Sequence, residues 1–177
     1  MPEGAQGLPP ADIHRLRAAQ GWTELGLPSE AARELQGLSP DVQTTPLALD
    51  VRWSVSNALG DWDLSHRVAS LSVQLHPDHE PGWINRSYAA RRMPDGGIPL
   101  ALEQLLPALE RFPDNSLIPY NLACYACRLD DLARAMEWFA IARKRDVRTA
   151  TKPGIIMKLA LNDPDLVPIR AWIRSQG

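Results

Sequence analysis

The segment PYNLACYACRLDDLARAMEWFAIA, residues 119–142, reads as two amphipathic helices joined by a tight turn. Leu122, Ala123 and Ala126 mark one face of the first helix. Asp130-Asp131 supplies a helix-starting turn, and Ala135, Phe139 and Ala142 recur at spacings of four and three on the second helix. Antiparallel helices whose axes approach within about 8–10 Å need small side chains at the crossing and large ones beside it. Ala123, Ala135 and Ala142 are the small residues here, and Leu122 and Phe139 the large ones.

The same pattern recurs upstream. A small residue falls at Ala31, Ser65, Ala101 and Ala135, at spacings of 34, 36 and 34. Four residues after each come Leu35, Ala69, Leu105 and Phe139, and three further on Leu38, Ser72, Ala108 and Ala142. Three ladders share one register, and the two extra residues before Ala101 fit in the MPDGG turn at 93–97.

This register organises the rest of the chain. Asp12 is the expected N-cap of a first helix with Ile13, Leu16, Ala19 and Trp22 on one face, and a second runs over 29–38. Pro46 suits the first position of a helix with Ala48, Val51, Val55 and Leu59 inward. Residues 47–55 also alternate like a strand, a reading that the repeat overrules. Further helices are expected over 62–75, from Pro81 through Ala90, and over 98–111. Pro153 can start another through Leu161, and Asp163-Pro164 introduces a last helix near 169–174, whose Val167, Ile169, Trp172 and Ile173 suit a cap over the end of an array.

With Trp83, Ala101, Ala108 and Pro113 in the third unit and Leu122, Ala123, Ala135, Phe139 and Ala142 in the fourth, the chain resembles the tetratricopeptide repeat family. The expected organisation is all-α: a flexible tail over 1–11, units over about 12–43, 46–79, 80–115 and 116–149, and capping helices over 150–177. Arg52 and Trp53 depart from the resemblance, which expects a leucine and a small residue there. It implies a right-handed superhelix of helix pairs whose first helices line a concave groove that holds a peptide or partner segment.

On the same resemblance the groove takes Asn85, Tyr88, Arg91 and Arg92 from the third unit and Tyr120, Asn121, Cys124, Cys127 and Arg128 from the fourth. Leu16, Arg17, Asp50, Val51, Ser54 and Asn57 hold the corresponding places earlier. Asn85 and Asn121 occupy equivalent positions, and an asparagine offers both a donor and an acceptor to an extended backbone. Facing water is the plainer role for them. Arg91, Arg92 and Arg128 favour acidic groups or form a solvated face. The lysines that clamp a terminal carboxylate in some members are missing from the early units, since Lys144, Lys152 and Lys158 all come late.

Chemistry finds little support. Cys124 and Cys127 form a CxxC in mid-helix, away from the helix N-terminus that lowers a redox thiol's pKa, and zinc needs two further ligands. HPDHE at 76–80 could hold a metal but sits in an ordinary turn between units. RKRDVR at 143–148 could meet nucleic acid or complement a helix dipole. No phosphate loop, nucleophile elbow or catalytic carboxylate pair is present, so neither an enzyme nor a cofactor is expected.

The net charge of −2 attracts neither nucleic acid nor anionic membranes in general. It divides unevenly, with 6 basic against 11 acidic residues up to Ala90 and 13 against 10 from Arg91. No run reaches the roughly 18 apolar residues of a membrane span, and 1–12 lacks a signal peptide's basic start and apolar block, so the cytoplasm is the expected location. The expected role is a non-catalytic protein-binding adaptor. A chaperone for one client and a nucleic-acid binder are the alternatives.

Overall fold

The computed structural model describes residues 7–149 and 154–176. All regular structure among them is helical, without strands. The chain divides into two compact units, Met1–Asp95 and Gly96–Gly177, and the boundary falls in the MPDGG turn inside the third expected repeat.

The first unit holds α1 (Pro10–Glu24), α2 (Pro28–Gln36), α3 (Pro46–Ala58), α4 (Trp62–Leu75) and α5 (Glu80–Ala90). Proline opens α1, α2 and α3, where its fixed φ suits the first turn and its missing N–H costs no hydrogen bond. Residues 47–55 are therefore helical. Leu16, Ala19, Ala31, Leu35, Leu38, Val51 and Val55 form the buried core.

Two local expectations are corrected in this unit. Asp12 is not the N-cap of α1 but lies buried in its first turn, where its carboxylate accepts from Ser39 N at 2.9 Å and Ser39 Oγ at 2.8 Å. A long-range pair of donors outcompetes the local cap. Leu59 is the C-cap of α3 and stays 45% exposed rather than facing inward. Of the expected tail, Pro10 and Ala11 already belong to α1, and residues 1–6 lie outside the described residues.

The second unit holds α6 (Ile98–Leu105), α7 (Ala108–Arg111), α8 (Leu117–Arg128), α9 (Leu132–Thr149), α10 (Ile155–Asn162), a 3-10 helix (Pro164–Ile169) and α11 (Arg170–Ser175). The single helix expected over 98–111 is broken between α6 and α7. Pro107 lies at the break, where it can donate no N–H and its ring crowds the preceding turn. Asp131 caps α9 through a hydrogen bond from Arg134 N. In the capping segment Ile169 and Ile173 are buried and Trp172 meets Phe139 edge-on at 6.1 Å, whereas Val167 is exposed. Pro153 lies outside the described residues.

All twelve ladder residues are buried, from Ala31, Leu35 and Leu38 to Ala135, Phe139 and Ala142. A second repetition appears in the backbone. After α1, α3 and α8 the chain enters the left-handed region at Gly26 (φ 75), Gly60 (φ 71) and Asp130 (φ 62). The next residue in each case donates back five positions: Leu27 N to Trp22 O at 2.8 Å, Asp61 N to Ser56 O at 3.0 Å, and Asp131 N to Ala126 O at 2.9 Å. Each is a Schellman stop, which satisfies carbonyls that the helix end would otherwise orphan.

Candidate functional site

In the first unit, α5 and the residues after it carry Asn85, Tyr88, Arg91 and Arg92. Tyr88 and Arg92 are four apart and share a helix face. The Arg92 guanidinium lies 3.5 Å from the Tyr88 ring centroid and 5.5 Å from that of Trp62, and its Nη1 donates to Tyr88 O at 3.1 Å. Tyr88 also meets Trp53 edge-on at 5.8 Å. The cation therefore sits on aromatic faces belonging to α4 and α5, an attractive arrangement, and one of its N–H groups is already given to Tyr88 O. Arg91 is the half-buried C-cap of α5 and has polar or ring contacts of its own. Asn85 is half-buried one turn before Tyr88.

Leu16 and Val51, assigned to the groove by register, are buried core residues, each 2% exposed. Asp50 is tied to His79 Nε2 at 2.8 Å. Burial pushes its carboxyl pKa up, and the His79 contact offsets part of that rise. His76 Nε2 lies 2.7 Å from Thr44 O. Both histidines of HPDHE thus latch the turn before α5 onto α3 and the segment leading into it, which accounts for them without a metal.

In the second unit, Tyr120, Cys124 and Cys127 form a stripe along α8, and all three are buried. The 3-10 helix covers the Tyr120 and Cys124 part of it. Tyr120 OH donates to Asp163 Oδ2 at 2.7 Å, and the Cys124 thiol donates to the same oxygen at 3.6 Å. The other carboxylate oxygen, Asp163 Oδ1, accepts from Asp165 N at 2.9 Å and so caps the 3-10 helix. Arg170 Nη2 holds Asp163 O at 2.8 Å, and the exposed Arg128 side chain approaches Asp165 Oδ1 at 3.8 Å. Asn121 spends one amide hydrogen on Leu117 O of its own helix.

This arrangement sets the chemistry of α8. Burial raises the Cys124 pKa, and the Asp163 and Asp165 carboxylates raise it further. Burial and the hydrogen bond to Asp163 raise Tyr120 in the same way. Cys127 is pushed up to about 11, first by burial and then by the same two carboxylates. Cys124, Asp163 and Asp165 place ligand-type atoms within 4.8 Å of one another. The Cys124 thiol and the Tyr120 phenol both donate to Asp163 Oδ2, so that carboxylate is already engaged in a hydrogen-bond network. Asp163 lies 39 residues from Cys124, so no local spacing links it to α8.

The basic run is used structurally. Arg145 donates to Leu109 O, Phe112 O and Asn115 O at 3.0, 3.1 and 3.2 Å, closing the carbonyl end of α7. Arg148 pairs with Asp114 and donates to Pro113 O, and the buried Asp146 accepts from Gly154 N at 2.7 Å. The cation complements a neighbouring helix end rather than that of its own helix.

No helix among the described residues is long and apolar enough to cross a membrane. No family model matches the chain, and no curated protein matches it.

Proposed function

We propose that the chain is a tetratricopeptide-like repeat protein that works in the cytoplasm as a non-catalytic adaptor, docking an extended protein segment on its first-helix faces. The observation that carries this reading is the burial of all twelve ladder residues in one register. The register commits the second helices to packing and leaves polar residues of the first helices, Asn85 among them, partly accessible. The raised thiol pKa values favour the non-catalytic part, because a protonated buried thiol is a poor nucleophile. Engagement of Arg145 and Arg148 by carbonyls and by Asp114 disfavours the nucleic-acid alternative.

In the second unit Tyr120 and Cys124 are covered by the chain's own 3-10 helix, so the docking face there reduces to Asn121 and Arg128. Panning a displayed library of random peptides against the purified protein tests the proposal. Enriched sequences should bind at least about tenfold more weakly to Asn85→Ala at unchanged helicity. No enrichment, or binders indifferent to Asn85, would overturn it.

A further inference from the structure

We propose that a cavity of about 360 Å³ in the first unit binds a carboxylate group carried on a short apolar stem. Leu35 of α2, Val55 and Leu59 of α3, and Leu64 of α4 give it an apolar wall, while Arg52, Gln36 and Gln43 bring polar groups to it. No residue of the lining is acidic. Arg52 Nε is closed off from solvent with no hydrogen-bond partner. A buried guanidinium nitrogen without an acceptor is costly, and the half-buried Arg52 side chain has a fixed positive charge to offer at the cavity, for which a carboxylate is the matching partner.

The walls select among anions. Inorganic sulfate or phosphate could meet Arg52 but would leave the Leu59 and Leu64 side uncovered, whereas an acid with a branched aliphatic stem covers both halves. The volume corresponds to roughly a dozen waters, enough for a ligand of about ten heavy atoms. Val55 and Arg52 lie on one helix face at a spacing of three, so the apolar and charged contacts come from one rigid element. Gln36 and Gln43 carry amide groups able to donate to the same anion, although Gln43 already gives one hydrogen to Leu38 O. The same chemistry could arrive as a free small acid or as the C-terminal leucine of a peptide. The site does not depend on the docking face of α5.

The test is an amide-resolved NMR titration of the full chain with 4-methylpentanoate, with a short peptide ending in leucine as the free acid, and with the amides of both. At neutral pH at least one free acid should give saturable shifts on α2 and α3, and neither amide should. Saturation by 4-methylpentanoate assigns a small-molecule ligand, and saturation by the peptide acid alone assigns a chain terminus. Arg52→Met, which keeps the apolar stem, should weaken binding at least about tenfold. Leu59→Trp, at an exposed position on the rim, should block entry at unchanged helicity and decides the matter if Arg52→Met loses helical signal. The proposal is overturned if neither acid titrates, if the amides bind as well as the acids, or if either folded variant binds like the parent.

Discussion

Tyr120 donates its phenolic hydrogen to Asp163 across 2.7 Å and 43 residues of chain. The bond joins α8 to the cap of the 3-10 helix, so the residue that stops α10 also holds the segment lying over α8. Tyr120→Phe should cost about 1 kcal/mol, and Asp163→Ala about 1–3 kcal/mol because it removes both a cap and a shared acceptor. In urea titrations the double variant should cost less than the sum of the singles. Strict additivity would mean that the bond does not couple the two elements.

The raised thiol pKa values give a definite sign on the alkaline side. Below the unfolded thiol value, about 8.5, Cys124 and Cys127 are protonated in both states and their full contribution to stability is present. As pH rises toward the folded value of Cys127, about 11, the unfolded chain ionises first and stability falls. Denaturation between pH 7.5 and 10.5 should show this loss, and a Cys124→Ala, Cys127→Ser variant should show less of it. Alkylation by iodoacetamide at pH 7.5 should be slow until denaturant is added.

The ladder can be tested by overpacking. Ala135 is fully buried and Ala133, two residues earlier on α9, is exposed. Ala135→Leu should cost about 1–3 kcal/mol, since the helix crossing has no room for the added atoms. Ala133→Leu should stay within about 0.5 kcal/mol of the parent. Equal effects in thermal denaturation would sink the register.

Asp130 occupies the left-handed turn position that glycine holds at Gly26 and Gly60. A side chain is strained there, so Asp130→Gly should stabilise the protein by up to about 1 kcal/mol. Gly60→Ala should destabilise by a similar amount, on the order of 1 kcal/mol, although a Cβ at Gly60 would meet nothing within 4 Å. Paired urea midpoints measure both; a neutral Gly60→Ala would show that the turn is not conformationally demanding.

His79→Ala should cost about 1 kcal/mol at pH 7, a modest figure for a partly exposed pair. The sign follows from Asp50, whose folded pKa lies above its unfolded one. Its favourable contribution is present below the unfolded value and is lost as pH rises through the folded value. Removing His79 deepens that loss, so the variant's deficit should shrink as pH falls through and below the ordinary carboxylate range and Asp50 takes up its proton. A deficit unchanged with pH would rule out the link to Asp50.

Much of the helical architecture can be read from local pattern. The ladder through Ala31, Ser65, Ala101 and Ala135 is visible because close helix crossings demand small residues at a helical period, and that demand operates residue by residue. Pro46 marks its helix start for an equally local reason, as does Asp61, whose side chain accepts from Leu64 N at the start of α4. Pro107 breaks the helix expected over 98–111 for an equally local reason, its missing N–H and the clash of its ring with the preceding turn.

The reading of the site is less local. Tyr120 and Cys124 fall on the face that the repeat register offers to a partner, but their accessibility depends on a segment some forty residues downstream. Arg52 looks like an irregularity in the repeat, and only the placement of Leu35 and Leu64 around it makes a cavity. Asp12 has the local chemistry of a cap, whereas Ser39 reaches it from the far end of the helix pair. Helix starts, stops and buried faces follow from interactions within a few turns of the chain and are therefore written in its spacing. Which polar groups remain available follows from hydrogen bonds and burial between distant segments, and those exist only once the chain is packed.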